Sequence, residues 1–237
     1  MTKTDQTPRP IEALIFDMDG LLLDSELLSM DALISAGAEL GYDMPRAFCL
    51  SVIGSPMDRC AEILVERFGP DFPTERLVAL HATHLQTAVA TGGLEMKLGV
   101  LELLDLLDRR GIRYAVATSS GRARTLHHLE IVGIVQRFAH IVTRDDVTRG
   151  KPHPEPYLTA AARLEVLPEA CLALEDSYNG VRAAHAAGMR VIMVPDLLHA
   201  TDEMRGTAHR IVDSLHDVIA FLDENDQAAP RADNLAR

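Results

Sequence analysis

Four short stretches carry residue types that could do chemistry together. In Ile15-Phe16-Asp17-Met18-Asp19-Gly20 an apolar run ends in two carboxylates and a glycine. Thr118-Ser119-Ser120-Gly121 puts three hydroxyls after the apolar run 114–117. Lys151 stands between Gly150 and the prolines Pro152, Pro154 and Pro156. Glu175-Asp176 follows a further apolar run, 171–174. Neighbouring carboxylates repel each other unless a cation neutralises them or one is held protonated. Hard oxygen donors suit Mg²⁺, which takes one or two carboxylates and leaves the rest of its shell to water and phosphate. Hydroxyls and backbone N–H groups at a strand-to-helix junction make an anion site, although the same residue types also serve as ordinary helix caps. A lysine on a proline-stiffened loop is a candidate fixed cation. A bare Asp-x-Asp is more often a solvated loop than a site. Four carboxylates, a lysine and a hydroxyl, all at strand ends, are not explained that way.

The elements that must position these residues follow from the hydrophobic pattern. Short apolar runs predict strands over 13–16, 113–117, 140–142, 171–174, 191–194 and 210–212. Helical spacing predicts helices over 100–109, 124–132, 154–164, 180–187 and 217–222. Strand and helix in alternation imply a parallel sheet covered on both faces. The expected fold class is therefore α/β, with a Rossmann-like doubly wound parallel sheet as its core. In such sheets ligands bind outside the carboxyl ends of the strands. Between the first strand and the alternation lie three predicted helices, 26–40, 58–68 and 74–90, and no strand. Ser25 is expected to cap the first, and Gly41, Gly69-Pro70 and Gly92-Gly93 to end them. Residues 1–24 and 94–237 are thus expected to form the Rossmann-like core. Residues 25–93 are expected to form an inserted helical cap, hinged near 23–25 and 92–96. The leader 1–10 is expected to be loose, and the polar tail from Glu224 to fray.

Composition narrows the function classes. The net charge is −12 and no run of Lys and Arg occurs, which argues against nucleic acid or an anionic membrane as a partner. An anionic substrate remains compatible, because a metal ion and a few local cations can invert the field at one site. Aromatics are 4% with no Trp, too few for a base-stacking surface. With 47% hydrophobic residues the chain can bury a sizeable core, yet no apolar run reaches membrane-spanning length. Cys49, Cys60 and Cys171 form no C-x-x-C pair and read as reduced thiols of a cytoplasmic protein. Residues 1–10 lack the apolar segment of a signal peptide. The chain is expected to be a monomer or a weak homo-oligomer.

The motifs "FDMDGLLLDSE", "VATSS", "GKPHPEPYL" and "LEDSYNGVRAA", in this order, resemble those of the haloacid dehalogenase superfamily. The resemblance continues through "AAGMRVIMVPD", and the helical insertion is similar to the small cap of the phosphatase and phosphomutase branch. It implies Asp17 as the nucleophile that forms an aspartyl-phosphate. It implies Asp19 as the general acid and base. The superfamily's dehalogenases lack this second aspartate, so its presence favours phosphoryl transfer. Thr118 would hydrogen-bond the phosphoryl group, and Lys151 would neutralise charge between nucleophile and phosphate. Mg²⁺ would be held by the Asp17 side chain, the Asp19 backbone carbonyl and Asp176, with Glu175 ligating directly or through water. Ser119 in the core loop, and Gly54 and Ser55 in the cap, are the expected substrate-binding residues. Members acting as mutases commonly carry a His and a cap Arg where this chain has Ser29 and Met57. The expected function is therefore a Mg²⁺-dependent phosphatase for a small phosphorylated metabolite, a sugar phosphate or nucleoside-phosphate-like monoester. A β-phosphoglucomutase-like phosphomutase is the alternative, and a non-catalytic regulatory member is third.

Overall fold

The computed structural model describes residues 9–52 and 57–228. Six strands form one all-parallel sheet: β1 (Ala13–Phe16), β2 (Arg113–Ala117), β3 (His140–Val142), β4 (Cys171–Glu175), β5 (Arg190–Met193) and β6 (Arg210–Ile211). Their order is β3-β2-β1-β4-β5-β6. The chain is therefore α/β with a Rossmann-like core, as its alternating pattern predicts. All four residues of β1 are buried, as a central parallel strand covered on both faces requires.

Alternation along β1 divides the core in two. Leu14 and Phe16 share a cluster with Tyr114, Val116, Leu172 and Leu174. That face is covered by α5 (Val100–Arg110), α6 (Arg122–Ile131) and α10 (Leu215–Ala228). Ala13 and Ile15 face the other way, into a cluster with Ala115, Ala117 and Ala173. There α7 (Glu155–Leu164), α8 (Tyr178–Ala186) and α9 (Asp202–Thr207) close the third layer. On the first face Phe16, Tyr114 and Phe138 meet edge to face, with ring centroids 5.5–6.3 Å apart.

The insertion contains α1 (Ser25–Glu39), α2 (Arg46–Val52), α3 (Met57–Phe68) and α4 (Thr74–Ala90). It has a small core of its own, with Met30, Ala36, Met44, Leu64, Phe72 and Leu77. Ala32 of α1 and Leu85 and Val89 of α4 join the cluster of the sheet instead. The two chain crossings are tied together: Asp24 N–H donates to the Glu95 carbonyl at 2.9 Å, and Lys97 N–H to that of Leu22 at 3.0 Å.

Four local expectations are corrected. Ser25 does not cap α1; Asp24 stands at that position, without a side-chain cap, and Ser25 turns toward the site. A fourth helix, α2, lies in the insertion, too short and weakly patterned to be seen in the sequence. The short α9 was also unanticipated; the Thr201 side chain accepts from Met204 N–H and caps it. The segment from Glu224 is not frayed from its start, since α10 continues to Ala228. Among the described residues no helix is long and apolar enough to cross a membrane.

Phe16 ends the central strand and anchors the aromatic cluster. Phe16→Ala should cost roughly 3–5 kcal/mol. The check is the urea midpoint at unchanged slope. A loss under about 1 kcal/mol would mean that the sheet does not depend on this packing.

Candidate active site

Chain direction across the sheet reverses at β1, with β2 and β3 on one side and β4 to β6 on the other. A crevice opens outside the carboxyl ends at such a switch point. Phe16 is level with Val116 of β2 and Leu174 of β4. The next residues of β1 and β4, Asp17 and Glu175, therefore stand side by side at this edge, with Thr118 just past Ala117 at the end of β2, and all three are buried. Asp17 N–H donates to the Leu174 carbonyl at 3.0 Å, and Thr118 N–H to that of Val142 at 2.9 Å. The sheet ladder thus fixes both side-chain origins.

Lys151 enters from the loop before α7, with its side chain 4% exposed. Its Nζ donates to Asp17 Oδ1 and to Glu175 Oε1, both at 2.5 Å. Glu175 Oε1 also accepts from Tyr157 Oη at 2.5 Å. Its Oε2 accepts from Ser177 N–H at 3.2 Å and Ser177 Oγ at 2.9 Å. The carboxylate sits where any side chain on residue 180 would be: a Cβ on Gly180 would lie 1.8 Å from Glu175 Cδ. Gly20 serves Asp176 likewise. It turns at φ +82°, and a Cβ there would lie 2.2 Å from Asp176 Oδ2. Thr118 Oγ1 accepts from Ser120 N–H at 3.0 Å, which leaves its own proton for another acceptor.

Asp19 faces a different set. Its Oδ1 accepts from Ser25 Oγ at 2.7 Å and Arg124 Nη2 at 3.0 Å, and its Oδ2 from Ser120 Oγ at 2.6 Å. Its carboxylate lies outside the cluster of Asp17, Glu175 and Asp176, whose ligand oxygens are all within 4.8 Å of one another. Ser119, expected to bind substrate, is exposed, while its neighbour Ser120 reaches Asp19. Gly54 and Ser55, also expected to bind substrate, lie outside the described residues. Ser25, Arg124, Tyr157 and Ser177 complete the network and were not singled out by the motifs.

The electrostatics of the cluster are unbalanced. Burial pushes the Asp17 carboxyl up to about 8; Lys151 works against this, and Glu175 and Asp19 add to it. Burial also raises Asp176 well above the carboxylate range, helped by Asp17, Glu175 and Glu26. Burial alone would depress the Lys151 ammonium, but Asp17 and Glu175 outweigh it and hold lysine charged far above its ordinary range. Three carboxylates thus face one ammonium. The surplus of hard oxygen donors fits a divalent cation. Glu175 is the least available of the three, since four donors already hold its oxygens.

Gly180→Ala must displace the Glu175 carboxylate and with it Lys151. We expect a folded protein, judged by circular dichroism, whose kcat on p-nitrophenyl phosphate falls about 100-fold, the scale of an ångström-sized misplacement. Activity within about twofold of the parent would show that Glu175 need not sit where it does.

Comparison with known proteins shows the family to which the chain belongs. The family model described as "Haloacid dehalogenase-like hydrolase" matches residues 14–194. Hexitol phosphatase B of Escherichia coli (strain K12) is 36% identical over 194 residues, covering 80% of this chain and 86% of that protein. YhcW of Bacillus subtilis (strain 168) is 36% identical over 217 residues, covering 90% of this chain and 96% of that one. The crystal structure of CbbY from Rhodobacter sphaeroides in complex with phosphate superposes with a TM-score of 0.73 at 30% identity, covering 90% of this chain and 99% of that one. On its motifs, its fold and these relatives, the chain belongs to the haloacid dehalogenase-like hydrolase family, in the branch of phosphatases and phosphomutases.

Proposed function

We propose that this protein hydrolyses a small phosphomonoester, a sugar phosphate or nucleoside-phosphate-like ester, through an aspartyl-phosphate on Asp17. The observation that carries the reading is the buried Asp17–Lys151–Glu175 array beside Thr118 at the switch point. Lys151 holds Asp17 Oδ1, so Oδ2 is the oxygen presented for attack on phosphorus. As the Asp17–phosphorus bond forms, the bond from phosphorus to the leaving oxygen breaks, and Asp19 gives that oxygen a proton. Asp19 then takes a proton from water, which attacks phosphorus and returns Asp17 as a carboxylate. Thr118 Oγ donates to a phosphoryl oxygen throughout, and the Lys151 ammonium balances charge beside the nucleophile. Mg²⁺, held by Asp17, the Asp19 main-chain carbonyl and Asp176, with Glu175 direct or through water, would supply the remaining positive charge.

In this reading residues 25–93 are a cap over the core formed by 1–24 and 94–237. The tied crossings at Asp24–Glu95 and Leu22–Lys97 return it to the edge where the carboxylates lie. Such a cap excludes water and contacts the leaving group. Ser29 and Met57, in place of the His and Arg of mutases, support hydrolysis over isomerisation. Cys49, Cys60 and Cys171 form no disulfide, which supports a cytoplasmic setting.

With Mg²⁺, steady phosphate release from a metabolite panel should fall at least about 1,000-fold in Asp17→Asn. No release from any phosphoester, p-nitrophenyl phosphate included, would refute the reading. Independently of turnover, Mg²⁺ at about 100 times its Kd should stabilise the parent by about 2.7 kcal/mol in thermal unfolding. Asp176→Ala should abolish that gain, and an undiminished gain would remove Asp176 from the ligand set.

A further inference from the structure

The loop that carries Thr118 and Ser120 is zipped onto the segment after β3. Thr118 N–H donates to the Val142 carbonyl at 2.9 Å, and Arg144 N–H to the Ser120 carbonyl at 3.0 Å. Asp145 Oδ2 accepts from Arg122 N–H at 2.7 Å. Asp146 holds the Arg122 guanidinium, whose Nη2 lies 2.7 Å from both carboxylate oxygens. The loop needs this outside support. Gly121, at the position before α6, has no side chain to cap the helix. The hydroxyls beside it are engaged in the site: Ser120 Oγ donates to Asp19, and Thr118 Oγ1 accepts from Ser120 N–H. The cap comes instead from Asp145. Asp146 is itself firmly held. Thr143 N–H and Thr143 Oγ1 donate to its Oδ2 at 2.8 and 2.6 Å, and Arg163 Nη2 of α7 donates to its Oδ1 at 2.8 Å. Burial alone would raise this carboxyl, but Arg163, Thr143 and Arg122 outweigh it and keep it ionised far below the ordinary range. Charge-assisted bonds of this kind are short and geometrically specific. None of the steps proposed at Asp17 uses Asp145, Asp146 or Arg122.

We propose that Asp146 is a positioning residue for phosphoryl transfer: through Arg122 it fixes the loop 118–122, and so sets where Thr118 and Ser120 stand against Asp17 and Asp19. The inference rests on the phosphatase reading and adds to it a residue outside the reacting array. β3 has three residues and lies at the edge of the sheet, and its pairing with β2 runs to Ala117 and Val142. Beyond that point the ladder becomes irregular, and the carboxylates of Asp145 and Asp146 continue it. If the loop shifts, the Thr118 hydroxyl no longer meets the transferring phosphoryl group, and Ser120 no longer orients Asp19. Such a shift lowers kcat more than it weakens binding, because the lost alignment matters most in the transition state. Arg163 offers an internal comparison. It bonds the same carboxylate from α7, but it does not belong to the loop.

The experiment compares the Mg²⁺-loaded parent with Arg122→Gln, Asp146→Asn and Arg163→Gln on p-nitrophenyl phosphate, resolving kcat from KM and recording each thermal midpoint. Arg122→Gln cuts the link to the loop and leaves Asp146 with Thr143 and Arg163. Arg163→Gln takes a guanidinium from the same carboxylate but leaves the loop attached. We expect Arg122→Gln and Asp146→Asn to lose about 10- to 100-fold in kcat, the scale of an ångström-sized misplacement, with KM within about threefold. Arg163→Gln should lower the thermal midpoint while keeping kcat within about twofold of the parent. If Asp146→Asn does not fold, Arg122→Gln against Arg163→Gln decides. Equal kcat losses in Arg122→Gln and Arg163→Gln, a loss under about threefold in Arg122→Gln, or a change confined to KM would each overturn this inference alone. A parent inactive on every phosphoester would overturn the phosphatase reading and this inference with it.

Discussion

One buried ammonium holds the carboxyl edge of the sheet together. Lys151 joins Asp17, at the end of the central strand, to Glu175, at the end of its neighbour. Two carboxylates so close and so dry need a cation between them or a proton on one of them, and removing one partner of such a buried pair typically costs about 3–5 kcal/mol. The surroundings serve this contact. Tyr157 from α7 and Ser177 before α8 take up the remaining capacity of Glu175. Gly180 leaves the space that its carboxylate occupies. Three helical or loop segments and two strands are therefore committed to placing one charge beside Asp17.

That charge does not balance the site. Asp176 adds a third carboxylate to the cluster, and burial raises both it and Asp17. The imbalance is the physical reason for a divalent cation in the proposed reaction. Asp19 belongs to another environment, taking bonds from the insertion through Ser25 and from the core through Ser120 and Arg124. It is one residue through which the proposed phosphoryl site and the helical insertion touch. A proton donor to the leaving group is well placed there, since the leaving group must lie between the two.

Much of this was legible in the sequence because it depends on strand ends. Apolar runs give β1, β2 and β3 to the residue, and the residues that follow β1 and β4 must then meet at one edge. That these carboxylates share the carboxyl edge follows from the strand pattern, whereas the strand order that sets β1 beside β4 and the loop that brings Lys151 to them do not. Elements made of short, weakly patterned segments, such as α2 and α9, left no comparable signal. Contacts that depend on how helices face one another were equally invisible. Ser25 reads as a helix cap by residue type, yet a buried carboxylate acceptor competes successfully for its hydroxyl. The bond from Ser120 to Asp19 likewise depends on the turn after β2, which no residue pattern announces. His81 lies 52 positions from Ser29, and only the packing of α4 on α1 brings them together.

Covalent transfer of the phosphoryl group to Asp17 is the central step of the proposed reaction. Enzyme in excess over a phosphoester labelled in its phosphoryl group, quenched in acid at successive milliseconds, tests this directly. Label should appear and decay on the peptide containing Asp17, and should be absent from Asp17→Asn. Phosphate release with no labelled protein at any quench time, or label on a different residue, would contradict the account.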